Sequence, residues 1–90
     1  MKQLVTSFNS DGFAFKQIAR EGNVAVFEKW QGSFHTWEAI KVRQKSVPSP
    51  NGGRQMYEAY PRSEEWGEWG WALPTKERAY QKMDELLGKK

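Results

Sequence analysis

Short apolar runs of β character, separated by turn signals, fill most of this chain, and apolar residues recur at helical spacing only near its end. "FAFKQIAR", Phe13 to Arg20, alternates through Phe13 and Phe15 and slips before Ile18, which predicts a strand with a bulge or bend. Glu21-Gly22-Asn23 is a tight connection into "VAVFEKW", Val24 to Trp30, and the two runs form a hairpin. After a break at Gln31-Gly32-Ser33 comes a third strand, "FHTWEAIKVRQK", Phe34 to Lys45. Its alternation places Phe34, Thr36, Glu38, Ile40 and Val42 on one face. His35, Trp37, Ala39, Lys41, Arg43 and Lys45 fall on the other. "SVPSPNGGR", Ser46 to Arg54, reads as a loop, "MYEAY" as a further strand stopped by Pro61, and "WGEWGWAL" as extended chain up to Pro74. Residues 1–10 carry Leu4, Val5 and Phe8 and form either an edge strand or a loose arm, closed by the turn signal Asp11-Gly12.

Thr75 to Leu87 is different. Ala79, Tyr80, Met83, Leu86 and Leu87 make one apolar stripe, Thr75 is a suitable N-cap behind Pro74, and Gly88 is a C-terminal stop. Glu77 in the first turn and Lys89 and Lys90 after the last suit the helix dipole. A lone amphipathic helix must bury its stripe on the sheet. The fold class is therefore α+β: an antiparallel meander of four to five strands with one C-terminal helix packed on one face, residues 1–90 forming a single domain.

Composition sharpens this picture. Leu, Ile, Val and Phe number only 16 of 90 residues, so five Trp, three Tyr and three Met must supply much of the core volume. No cysteine is present, which rules out disulfides and thiolate metal sites and fits a reducing compartment. No apolar run approaches the ~20 residues that span a bilayer, and the start is a poor signal peptide. The sequence reads as a soluble cytoplasmic protein with no membrane partner. Net charge is +3, but residues 1–54 hold eight Lys/Arg against four Asp/Glu, so the first half is the basic half.

Catalytic chemistry finds little support. His35 is the only histidine, with no serine or acid at a triad spacing, and no metal ligand set can be assembled around it. Glu64, Glu65 and Glu68 read as solvated carboxylates of a polar turn, and Gly52-Gly53-Arg54 lacks the lysine and helix of a phosphate loop. The expectation is a protein that is not an enzyme and needs no cofactor or metal.

Binding chemistry is better represented. Trp37, Lys41, Arg43 and Lys45 share a strand face that leads through a loop to Arg54; cations for phosphates beside a ring for bases are what single-stranded DNA or RNA requires. Lys16 and Lys29 extend the stripe if neighbouring strands orient them alike. This expectation depends on the helix covering the Ile40/Val42 face and leaving the Trp37/Lys41/Arg43 face open. The alternative is a protein-interaction module, such as a phage-type inhibitor of a host protein, with Tyr60, Trp66 and Trp69 as anchors. Trp69 and Trp71 share a face and cap core beneath the helix in a structural reading, while Trp66 lies opposite and partly exposed; Gly67 and Gly70 let a ring or backbone approach closely. A homodimer is compatible with either reading, because one broad face and the sheet edges need cover.

The strand–strand–strand–strand–helix order of Phe13 to Leu87 resembles that of small single-stranded DNA-binding modules, the Pur-alpha repeat and the Whirly and coactivator-type proteins. That resemblance implies a sheet that binds the strand and copies that pair; none of those families' sequence signatures is present, so no functional residue is carried over. "YPRSEEWGEWGWAL" before a helix is also similar to a pattern in small phage and mobile-element proteins of unassigned function.

Overall fold

The computed structural model describes residues 4–88; Lys89 and Lys90, expected to complement the helix dipole, and the first three residues of the expected arm lie outside them. Five strands form one antiparallel sheet in the order β1-β2-β3-β4-β7: β1 Ser7–Ser10, β2 Phe13–Glu21, β3 Val24–Gln31, β4 Phe34–Lys41 and β7 Gly70–Leu73. A separate hairpin of β5 Arg43–Pro48 and β6 Arg54–Ala59 interrupts the meander, and helix α1, Lys76–Leu86, follows β7. The fold class read from the sequence is the one found.

Local chemistry accounts for the first turn, the bulge in β2 and both ends of the helix. Asp11 and Gly12 both take positive φ, 53° and 81°, in the β1–β2 turn. The register slips between Gln17 and Ala19, the bulge that the broken alternation predicts. It lets Ile18 and Ala19 both pack on the helix-side cluster. Thr75 caps α1 by accepting from the Arg78 N–H at 3.1 Å, and Gly88 at φ 78° ends it.

Three boundaries differ from expectation. The third strand does not run to Lys45: it breaks at Val42, which is buried at 3% exposure in the core, and the chain leaves the sheet. Ser46–Pro48 and Arg54 are strand rather than loop, and Met56–Ala59 pairs within the hairpin instead of the main sheet. "WGEWGWAL" is extended only from Gly70; a 3-10 turn over Ser63–Glu65 precedes it.

The larger correction concerns the helix. Ala79 and Met83 pack on Val24, Val26 and Ala39, with Trp37, Leu73, Tyr80 and Leu86 around them. Helix α1 thus covers the Trp37/Ala39 face, not the Ile40/Val42 face. The opposite face is not open either. Ile40, Val42, Ala25 and Phe27 lie in a second cluster with Leu4 and Phe15, against which Phe8, Phe13 and Tyr60 pack. The reason is in β3, where Val24, Ala25, Val26 and Phe27 are all buried, so both faces of the sheet must be covered.

The hairpin is tied to the body at its base. Arg20 donates to both Glu58 carboxylate oxygens at 2.7 Å, and the Leu4 backbone N–H donates to Oε1 at 3.0 Å. Arg20, then Leu4, pull the Glu58 carboxyl from 4.5 down to about 2. A depressed carboxyl stabilises the fold fully above its unfolded pKa and loses that contribution as pH falls through its folded one. Glu58→Gln should therefore cost about 1–3 kcal/mol at neutral pH. In urea denaturation the gap from the parent should shrink between pH 4.5 and about 2.

Candidate nucleic-acid interface

The cations of the basic stripe meet rings, but not the ring expected. Lys41 lies on the helix side of β4, and its N–H donates to the Trp69 carbonyl at 2.8 Å, which brings the segment before β7 alongside. The Lys41 ammonium is 5.9 Å from the Trp69 ring centroid and 5.8 Å from that of Trp71. The Arg43 guanidinium stands 4.6 Å over Trp69, and Lys82 of α1 4.6 Å over Trp71. Two half-buried indoles and three cations thus form a rim where the sheet, the helix and the hairpin base converge. Such contacts contribute about 0.5–1 kcal/mol each at exposed sites.

Carboxylates order this rim. Glu65, buried at the 3-10 turn, receives Arg43 and the Arg62 backbone N–H at 2.9 Å. The Arg62 N–H first, and Arg43 second, hold its carboxyl below the usual range. Lys82 pairs with Glu85 at 3.1 Å. Between the rim and the helix end lies a groove of about 420 Å³ that includes Asn23, Lys41, Arg43, Trp69 and Leu86. A second groove of about 470 Å³ runs along β7, with Trp66, Trp71, Arg78 and Lys82 on its walls.

Other residues singled out in the sequence fall elsewhere. Trp37 is half-buried beneath the helix and stacks on His35, with ring centroids 5.5 Å apart, so it is not an open platform beside Lys41. Trp30 stacks on the other side of His35 at 6.0 Å, and the His35 ring meets Glu28 at 2.9 Å. Lys45 is opposite Tyr57 on one face of the hairpin, whereas Arg54, opposite Pro48, has the parity of the other face and bonds Ser46. Lys16 and Lys29 diverge too: Lys16 is opposite Glu28, while Lys29 reaches Glu38 on the far side of the sheet.

Of the three proposed protein-binding anchors, Tyr60 is half-buried against the aromatic cluster. Its ring packs against Phe8, Phe15 and Phe27 at 5.1–6.0 Å, and its hydroxyl bonds Glu38. Burial first, and the Glu38 charge second, push the phenol well above its usual pKa, so it remains a donor. Trp66 is 36% exposed and lies flat on Gly70. Trp69 belongs to the rim described above. Trp71 and Lys82, absent from the expected site, were traceable only as a tryptophan beside a strand glycine and a helix lysine.

Among the described residues no group of three or more His, Asp or Glu converges as a metal site, and no helix is long and apolar enough to cross a membrane. No family model, curated protein or solved structure matches the chain.

A Cβ added at Gly70 would fall 2.3 Å from the Trp66 ring, so any side chain there must dislodge the indole. Gly70→Ala should cost about 1–3 kcal/mol. In a double-mutant cycle read by urea denaturation, most of that penalty should vanish in the Trp66→Ala background.

Proposed function

We propose that this protein is a non-enzymatic module that binds single-stranded DNA or RNA at the Trp69–Trp71 rim. Lys41, Arg43, Lys45 and Lys82 contact phosphates, and the two indoles stack bases. The observation that carries this reading is the joint presence of two adjacent tryptophans and three cations at one open junction. The energetics favour exchange. A base that slides onto Trp69 replaces a cation–π contact of about 0.5–1 kcal/mol with stacking of about 1–3 kcal/mol. The displaced cation remains within reach of the adjoining phosphate. Lys45 extends the track along the hairpin. Trp37 takes no part, since it is committed to the helix.

A second reading rests on the hairpin. Its strands pair with each other and not with the main sheet, and it is tied to the body at its root by Arg20 on Glu58 and Arg43 on Glu65. Val47 and Met56 are 42% and 40% exposed on it. Free strand edges with apolar side chains suit a protein partner, including a second copy of the chain. Solution mass measured with and without oligonucleotide separates a pre-existing dimer from one formed on nucleic acid.

The main reading is tested by titrating an oligonucleotide of about twenty nucleotides at several salt concentrations. Engagement of three to four cations gives a slope of log affinity against log salt of roughly −2 to −3. Lys41→Ala should flatten it by about 0.7. Trp69→Ala should weaken binding by about 1–3 kcal/mol. No binding at low salt removes the proposal.

A further inference from the structure

On the face away from the helix, a cleft of about 480 Å³ opens beside Glu38. We infer that it is a pocket for a guanine base. Glu38 is only 5% exposed, in the middle of β4, where a carboxylate is costly unless it is paired and hydrogen-bonded. Tyr60 donates to its Oε1, and the Lys29 ammonium stands 3.5 Å from its Oε2. Lys29 is held there by two rings, 4.5 Å from the Phe13 centroid and 5.4 Å from that of Phe15. Phe8, Phe15 and Trp66 wall the cleft, and Trp66 keeps 36% of its surface open.

The polar groups form a pattern. Each carboxylate oxygen has two lone pairs, so both Glu38 oxygens retain accepting capacity beyond Tyr60 and Lys29. Beside them Lys29 has N–H groups to donate. Two carboxylate acceptors and one ammonium donor thus stand together at the cleft. The Watson–Crick edge of guanine is their complement: an amino group and a ring N–H that donate, followed by a carbonyl that accepts. Adenine and cytosine set one amino donor beside an acceptor, and uracil and thymine set one donor between two acceptors. Only guanine offers two adjacent donors. Single-stranded bases are read in this way, by stacking on rings and bonding along that edge.

The base could belong to a strand or to a free nucleotide. The strand source rests on the nucleic-acid reading above and has a route, because Trp66 lines both this cleft and the groove that holds Trp71 and Lys82. A strand crossing the rim reaches the cleft around the β7 edge.

The test uses the full chain. Binding of GMP, AMP, CMP and UMP is followed by amide chemical shifts, and oligothymidine is compared with the same strand carrying one guanine. The expected result is a guanine preference of roughly 5- to 100-fold in at least one arm, with shifts at Phe8, Phe15 and Glu38, abolished by Glu38→Gln. Preference for GMP alone assigns a free nucleotide; preference in the strand alone assigns nucleic acid. Should Glu38→Gln unfold, Lys29→Met must abolish the preference, and the shift map in the parent must still fall on the cleft. Equal binding of all bases in both arms, or a preference that survives both variants, overturns the inference. Salt-dependent binding of the guanine-free strand then still stands, so the two readings fail separately.

Discussion

The structure depends on β3 being buried on both sides. Val24 and Val26 face the helix, and Ala25 and Phe27 face the aromatic cluster, all at 6% exposure or less. A strand this apolar cannot leave either face wet. One helix closes one side. The other is closed by Leu4, Phe8 and Tyr60, from the start of the chain and the segment after the hairpin. With one face under the helix and the other largely filled by the aromatic cluster, the junction at Trp69 and Trp71 and the hairpin lie at the margins of the sheet, and the cleft beside Glu38 is the opening left on the face away from the helix.

The same constraint explains why a hairpin projects. Once Val42 turns into the core, Arg43 begins a ribbon that can no longer pair with β3. A two-stranded ribbon is marginal in water by itself. Its root is fastened by the Arg20–Glu58 pair on β6, by Arg43 on Glu65 and Trp69 at the start of β5, and by Tyr60 just beyond β6.

Much of the architecture is legible in the sequence because it is local. The turn at Asp11-Gly12, the bulge before Ile18, the Thr75 cap and the helical stripe each depend on a few neighbouring residues. The choice of sheet face was not legible from the alternation of Phe34 to Val42, since both faces of that strand carry apolar residues. The unbroken run Val24–Phe27 was the available signal: four apolar residues in succession mean two covered faces. The cations of the site were readable as a stripe, but their rings lie some 28 residues further on, joined by the β4–β7 pairing that no local pattern specifies. Glu38 was placed on its face, yet its burial follows from Tyr60 and Lys29, which reach it from two other segments.

The burial on which this arrangement rests can be tested at the helix-covered face on Trp37, whose indole nitrogen is enclosed there. A soluble paramagnetic probe should leave the Trp37 indole signals the least attenuated of the tryptophans and those of Trp66 far more attenuated. Equal loss of the Trp37 and Trp66 signals would contradict the account, because the face under the helix would then be open to water.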